Sequence, residues 1–325
     1  MADLYSRLKE VGFDAKFVKG RVLPDWWDDS LASVPANRAI AEAAIAKMLR
    51  FPIQDLEDPT KKLRLPAVGK VRLKKRAKTT LPDLRPSILI AEQAARAVVE
   101  TAQALPHFEN DLDAAALRRE ILEGLPFVNL EALLQAAWGK GIVVLHLSQL
   151  PAASKKFSGV SLFRGDTPVI VLASGTDSPP WLAFHLAHEL GHIAHGHVKP
   201  GDTPLAHGEI GNSDHDPEEL EANEFACYVL TGEKQPRFAS SYGLTGSKLA
   251  FAARDYGRKN KIDPGAVALF YGRTAERLPA AQVALRHLGV DRGGHATIWR
   301  FLQEHLVEEP SEYSSRFIPL LDPGS

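Results

Sequence analysis

Five of the twelve histidines in the chain lie within thirteen consecutive residues, 185–197. This segment contains the pattern H-E-x-x-H, formed by His188, Glu189 and His192. On an α-helix, residues four positions apart lie one turn apart on the same face, so both imidazoles can reach one tetrahedral metal ion. The neighbouring Glu189 can then take a proton from a metal-bound water instead of binding the metal. The spacing therefore predicts a zinc site with a general base beside it.

A third ligand must come from another segment, because a catalytic zinc has three protein ligands and one open position. Residues 217–227 are predicted to form a helix and carry four glutamates. Acidic side chains are also favoured at a helix N-terminus for electrostatic reasons, so helical geometry alone does not choose between Glu218 and Glu219. Because Glu219 and Asn223 lie four positions apart, one of them could bind zinc while the other orients a histidine ligand.

Two motifs together resemble those of the ImmA/IrrE family of zinc metallopeptidases. The first is HELGH at residues 188–192, and the second is ELEANEFA at residues 219–226. The resemblance covers about residues 130–235, and the second motif makes it specific. It implies a zincin-like metallopeptidase core.

The resemblance also implies a role for each matched residue. His188, His192 and Glu219 would bind one Zn²⁺ per chain, and Glu189 would be the general base of an endopeptidase. Members of the family cleave helix-turn-helix transcriptional repressors, which releases stress, mobile-element or phage-defence genes. The expected partner is therefore a protein substrate of that kind.

Other side chains near the two motifs are candidates for supporting roles. An oxyanion donor is expected for peptide hydrolysis, and Tyr228, His195, His197 and His215 are available, with His215 and Tyr228 preferred. Cys227 lies eight residues beyond Glu219 on the predicted helix, so its thiolate could occupy the open zinc position as a redox switch. The alternative for Cys227 is a small buried apolar residue.

A basic segment precedes these motifs. Residues 61–78 contain nine positive charges and no acid, and three prolines interrupt residues 61–86, which predicts an extended, exposed segment. Such a segment has the form of a phosphate-contacting element, and its alternative is a solvated linker. The residues singled out for nucleic-acid contact are Lys70, Arg72, Lys74, Lys75, Arg76 and Lys78. A second functional hypothesis is therefore a DNA-binding transcriptional regulator with a structural zinc site.

The whole-chain composition narrows the class of protein. Among 325 residues, 39 basic and 40 acidic side chains nearly cancel, so any nucleic-acid partner must be argued from local charge. A single cysteine excludes an internal disulfide and suits a reducing cytoplasm. The sequence shows neither a secretory h-region nor an apolar run of the ~18 residues that a membrane helix needs, so no membrane partner is expected.

The predicted elements give an α+β fold that is mostly helical with a small mixed sheet. Strand 168–173 is expected to align an extended substrate by β-addition. The predicted segments are an N-terminal helical region (1–60), a basic linker (61–86), a metallopeptidase domain (87–235) and a C-terminal helical region (236–325). Within the third, helices are predicted at 87–105, 112–122, 130–138, 180–196 and 217–230, and strands at 141–145, 158–163 and 168–173.

Overall fold

The computed structural model of the chain describes residues 1–66, 72–73, 81–152, 154–201, 216–238 and 243–324, and for residues 72–73 and 81–83 it describes the backbone alone. Within these ranges the fold is mostly helical with one small mixed sheet, which confirms the predicted α+β class. The first helices are α1 (Ala2–Glu10), α2 (Ala15–Phe17), α3 (Pro35–Leu49), α4 (Ile53–Glu57), α5 (Leu81–Thr101), α6 (Ala114–Gly124) and α7 (Leu130–Gly139). They are followed by α8 (Pro179–Ala194), α9 (Pro217–Thr231), α10 (Gly246–Asn260), α11 (Pro264–Thr274), α12 (Leu278–Leu288), α13 (Gly294–Gln303) and α14 (Glu312–Phe317). The strands are β1 (Arg72–Leu73), β2 (Val143–His146), β3 (Gly159–Arg164) and β4 (Thr167–Leu172).

The sheet has the strand order β1-β3-β4-β2. The predicted hairpin is present as β3 and β4, which pair antiparallel, and β2 pairs parallel with β4. Strand β1 pairs antiparallel with β3 opposite Val160 and Ser161. Because β4 lies between β3 and β2, both of its edges are already paired. The expectation that strand 168–173 aligns a substrate by β-addition is therefore wrong.

The structure describes the basic segment at residues 61–66, 72–73 and 81–86. The expectation of an extended segment up to residue 86 is wrong, because helix α5 begins at Leu81 and includes Pro86. Pro82 lies in the first turn, where a proline is tolerated, whereas Pro86 lies inside the helix, and the buried Leu84 packs this part of α5 into the protein core. Arg72 belongs to β1, but its side chain is not described. The other predicted nucleic-acid contacts lie outside the described residues: Lys70, Lys74, Lys75, Arg76 and Lys78.

Two hydrophobic clusters lie on opposite faces of the sheet. Alternate residues of a strand point to opposite faces, and in β4 Val169 and Val171 belong to the first cluster while Ile170 and Leu172 belong to the second. The first cluster contains the N-terminal helices, α5 and α14, and the second contains α6 to α12. The first core thus draws on the predicted N-terminal region, metallopeptidase domain and C-terminal region together. The predicted domain boundaries stay a prediction.

No described helix combines the length and the apolar character that a membrane span requires. The four-stranded sheet and its flanking helices, α8 above all, are the framework that positions the candidate site.

Candidate metal centre

Helix α8 carries the H-E-x-x-H pattern and is buried along almost its entire length. It follows Ser178 and has prolines in its first turn, where their missing N–H costs no hydrogen bond. His188, Glu189 and His192 are each at most 1% exposed. Buried polar side chains of this kind need hydrogen-bond partners or a metal ion. The elements packed against α8 must therefore supply these partners.

The partner element is α9, which packs closely against α8 at a position without a side chain. A Cβ placed on Gly191 would lie 2.8 Å from Cα of Ala222 and 3.0 Å from its carbonyl oxygen. Real Cβ atoms do not approach other atoms so closely, so the glycine in HELGH and the small alanine in α9 let the two helices approach. This approach brings Glu219 and Asn223 of α9 to the histidines of α8.

Three buried side chains converge at this crossing. Nε2 of His188 lies 3.1 Å from Nε2 of His192. The carboxylate oxygens of Glu219 lie 3.4 Å from Nε2 of His188 and 3.3 Å from Nε2 of His192. One ligand atom from each residue lies within 4.8 Å of the others, and this is the group that could hold a metal ion among the described residues.

The donor set and its spacing fit a tetrahedral ion. With metal–ligand bonds of about 2.0–2.1 Å, two ligands at a tetrahedral angle are separated by about 3.3 Å, close to the separations between these nitrogen and oxygen atoms. Two imidazoles and one carboxylate are also the ligand types of catalytic zinc sites that keep a fourth position open. His188, His192 and Glu219 would therefore hold the ion.

The other ring nitrogens of the two histidines have partners of their own. Nδ1 of His188 lies 3.1 Å from Oδ1 of Asn223, which accepts its hydrogen bond and so leaves the lone pair of Nε2 for the metal ion. Nδ1 of His192 lies 2.9 Å from Nδ1 of His197. The alternatives left open by helical spacing are thus distinguished, because Glu219 faces the two Nε2 atoms while Asn223 supports a histidine.

Electrostatics keep Glu219 ionised. Burial raises the pKa of its carboxyl group, but the hydrogen bonds and charges of His188 and His192 outweigh that effect and hold the pKa well below its usual range. A deprotonated carboxylate beside two imidazole nitrogens is the state that binds a cation.

Glu189 is buried beside the ligands and contacts strand β3 of the sheet. Oγ of Ser161 donates a hydrogen bond of 2.8 Å to Oε2 of Glu189 and one of 3.2 Å to its backbone carbonyl. A Cβ placed on Gly159, two residues earlier in β3, would lie 2.6 Å from Oε1 of Glu189. Strand β3 therefore both holds this carboxylate and leaves space for it.

Of the predicted supporting residues, His197 contacts a ligand, whereas Tyr228 and Cys227 lie elsewhere. Tyr228 lines a groove with His195 and Glu224, and it is nine residues from Glu219, which corresponds to the opposite face of a helix. Its assignment as an oxyanion donor stays a prediction. Cys227 is buried in the second hydrophobic cluster, and its sulfur is not among the grouped ligand atoms of the described residues, so its predicted role as a zinc-site switch lacks the required position.

One preferred oxyanion candidate is not placed. His215 lies outside the described residues. His195 faces the groove with Tyr228, whereas His197, the other candidate, contacts the ligand His192 directly.

Sequence reasoning missed the residues of β3 that contact Glu189. Gly159 and Ser161 are small residues in a strand, and no local pattern connects them with a helix almost thirty positions later. A glycine inside a predicted strand is a sign of close approach by another group, and this sign was available at position 159.

Comparison with known proteins was made for the whole chain. Residues 139–257 match the peptidase family M78 model, described as the IrrE N-terminal-like domain. No match was found among curated proteins or solved structures. The matched segment contains β2, β3, β4, α8 and α9, which together form the candidate metal centre. Residues 139–257 therefore form a metallopeptidase domain of the ImmA/IrrE family.

Proposed function

We propose that the chain is a zinc-dependent endopeptidase that uses Glu189 as its general base. The observation that carries this proposal is the placement of Glu189. Its buried carboxylate follows the ligand His188 directly in the chain, but among the described residues the group that could hold a metal ion consists of His188, His192 and Glu219. A purely structural zinc site is closed by four protein ligands and has no use for a base beside the metal.

Zinc, when bound by His188, His192 and Glu219, would supply Lewis-acid polarisation of the scissile carbonyl and an acidified water. The residues of the chain would do the rest of the work. Glu189, held by Ser161, would accept a proton from the attacking water and donate it to the leaving amine. Burial of Glu189 excludes bulk water and thereby strengthens these interactions.

Strand β3 is the element best placed to align a substrate, because it carries the residues that contact Glu189. Its inner edge pairs with β4, while its outer edge pairs with Arg72–Leu73 opposite Val160 and Ser161. We propose that an extended peptide adds to this outer edge, in register with the base, and competes there with Arg72–Leu73.

The biological substrate is proposed from the family resemblance. A helix-turn-helix repressor cleaved in the cytoplasm, with release of stress, mobile-element or phage-defence genes, agrees with both motifs and with the match at residues 139–257. The predicted nucleic-acid contacts of the basic segment would then localise the enzyme on DNA or activate it there.

The test is Glu189→Gln. Its control is Glu224→Gln, which makes the same chemical change on helix α9. Cleavage is followed by mass spectrometry on a peptide library and on candidate repressors, and metal content is measured on the same samples. We expect Glu189→Gln to retain about one zinc per chain and to lose roughly 10²- to 10⁴-fold in rate. Glu224→Gln should match the wild type. Cleavage by Glu189→Gln at the wild-type rate would refute the proposal.

The DNA-binding hypothesis predicts different results. It expects salt-sensitive DNA binding that disappears when Lys74, Lys75 and Arg76 are neutralised, together with unfolding when the metal is chelated. A chain that keeps its far-UV circular dichroism after chelation would count against a structural zinc site.

A further inference from the structure

We infer that His197 and Glu221 are positioning residues for the metal centre, forming a hydrogen-bonded relay that orients the second ligand, His192. The inference rests on the metal site of the proposed function but not on peptidase activity. Its starting point is the direct contact of 2.9 Å between Nδ1 of His192 and Nδ1 of His197.

The end of helix α8 places these two rings together. The N–H of Gly196 bonds to the carbonyl of Ile193, and the N–H of His197 bonds to the carbonyl of His192, both at 2.9 Å. This pair of bonds, with Gly196 at φ +66°, is a Schellman motif, in which the residue after the left-handed glycine contacts the residue five positions earlier. That contact is commonly apolar, and here it joins two imidazoles.

The direction of the hydrogen bonds follows from the ligand role of His192. As a ligand, its Nε2 must present a lone pair toward the metal ion, so Nδ1 carries the proton and donates a hydrogen bond to Nδ1 of His197. The proton of neutral His197 then resides on Nε2, which lies 2.9 Å from Oε2 of Glu221. A carboxylate can only accept, so each donor in the series meets an acceptor and the order is unambiguous.

The members of the relay differ in their exposure to solvent. His192 is 1% exposed and His197 is 7% exposed, whereas the side chain of Glu221 is about half exposed. The relay thus runs from a buried ligand to the surface of α9.

Helix α9 therefore supplies the supporting residues for both histidine ligands of α8. Asn223 accepts from Nδ1 of His188 directly, and Glu221 acts on His192 through His197. Partners of metal-bound histidines fix the tautomer and raise the basicity of the ligand, and their loss typically costs about 10- to 100-fold in metal affinity or activity.

The experiment compares two substitutions at one position. His197→Phe keeps a ring but removes the acceptor, while His197→Asn places an amide oxygen near the former Nδ1, the same acceptor that supports His188. Zinc dissociation constants are measured by competition with a chromophoric chelator, and the tautomer of His192 is read from its ¹⁵N chemical shifts. Glu224→Gln, on the outer face of α9, is the control.

We expect His197→Phe to weaken zinc binding about 10- to 100-fold, and His197→Asn to recover most of that loss. Glu221→Ala should cost roughly three- to tenfold, because its half-exposed carboxylate is screened by solvent. Glu224→Gln should bind zinc like the wild type.

Two results would overturn the relay. The first is His197→Phe with wild-type zinc affinity and wild-type ¹⁵N shifts of His192. The second is His197→Asn as weak as His197→Phe while both variants retain wild-type thermal unfolding without metal. Neither result depends on cleavage, so they are distinct from an active Glu189→Gln, which would refute the proposed base and leave the relay intact.

Discussion

Within the part of the chain that the structure describes, histidines and carboxylates lie together both at the metal centre and in a second, less buried cluster, and the two are arranged in different ways. At the metal centre, the Nε2 atoms of His188 and His192 face each other and Glu219. In the other cluster, the rings of His146 and His295 stack with centroids 3.8 Å apart and planes at 21°. Stacked rings direct their nitrogen atoms outward in the ring planes, away from the space between the rings.

The second cluster uses its polar atoms for structure. Nε2 of His146 lies 3.1 Å from the carbonyl oxygen of Ser174, and Nε2 of His295 lies 2.8 Å from that of Thr176. The carboxylate of Asp177 accepts from the backbone N–H groups of Gly293 and His295 at the start of α13. The comparison shows that the direction of the ring nitrogens, rather than the mere proximity of two histidines and a carboxylate, distinguishes a metal centre from a structural cluster.

The largest effect should come from removing one ring from each cluster. His188→Ala should reduce bound zinc from about one ion per chain to near zero, because a site with two remaining protein ligands binds zinc weakly. His146→Gln should retain the full zinc content, since its ring nitrogens face Ser174 and Ser148. Metal analysis of both purified variants checks this difference.

Equal zinc content in the two variants would remove the distinction between the clusters. Thermal unfolding of the metal-free proteins is the control for folding. We expect His188→Ala to remain folded, because the substitution leaves the packing of α8 against α9 at Gly191 and Ala222 in place.

The next effect concerns the close contact of helices α8 and α9 at the metal centre. Gly191→Ala introduces a Cβ that would lie 2.8 Å from Cα of Ala222, so α8 and α9 must separate. We expect a loss of about 1–3 kcal/mol in the free energy of unfolding and at least about a tenfold weaker zinc affinity, equivalent to about 1.4 kcal/mol.

The matched control is Gly124→Ala on α6, where no atom lies within 4 Å of the added Cβ. This substitution should leave zinc affinity unchanged and alter stability by at most about 1 kcal/mol in the favourable direction. Denaturant unfolding and chelator competition measure both quantities. A Gly191→Ala chain that binds zinc like the wild type would show that close helix packing does not position Glu219.

The third effect is a pH dependence that belongs to the structural cluster. Burial and the neighbouring charge of His295 lower the pKa of His146 to about 3, with Lys156 acting in the same direction and Ser174 and Asp177 opposing. An unfolded histidine titrates near 6.5, so below that pH the unfolded state binds the extra proton and the free energy of unfolding falls.

His146→Gln removes this proton uptake. Between pH 6.5 and 5, the wild type should therefore lose about 2 kcal/mol more stability than the variant. Urea unfolding of metal-free protein across that range measures the difference, and His107→Gln, at an exposed position, is the control. Parallel curves for wild type and His146→Gln would contradict the neutral buried state of His146.

The same comparison explains what the sequence could predict. Two ligands four residues apart on one helix are a local feature, so His188 and His192 follow from the pattern and a general knowledge of helices. The choice of Glu219 over Glu218 depends on how α9 is rotated against α8, which the contact of Gly191 with Ala222 sets only in the folded protein.

The wrong predictions have the same origin in non-local structure. Strand β4 was expected at a substrate-binding edge, but β2, which precedes the hairpin in the chain, pairs with its free side. His146 and His295 lie about 150 residues apart, so no sequence pattern predicts that their rings stack.

The smallest predicted effect concerns two carboxylates that are not metal ligands, Glu189 at the metal centre and Asp177 in the second cluster. Asp177 is held by backbone N–H groups, whereas Glu189 accepts from Ser161 and occupies space left by Gly159. Gly159→Ala would place a Cβ 2.6 Å from Oε1 of Glu189 and displace the proposed base without altering the ligands. We expect zinc content to stay near one per chain while the cleavage rate falls about tenfold, or 1.4 kcal/mol in activation free energy.

A slower Gly159→Ala enzyme could result from loss of zinc or from displacement of Glu189. Zinc content and cleavage measured on the same preparation separate these two causes. Slow cleavage with full zinc would mean that β3 positions the base, as the contact with Glu189 requires. Full activity would mean that Glu189 moves aside without consequence and that its position in the folded protein does not limit the reaction. Because Asp177 lies in the other cluster, Asp177→Asn should leave zinc content and cleavage rate unchanged. A loss of cleavage in that variant would mean that the second cluster affects the reaction, which contradicts its assignment as a purely structural cluster.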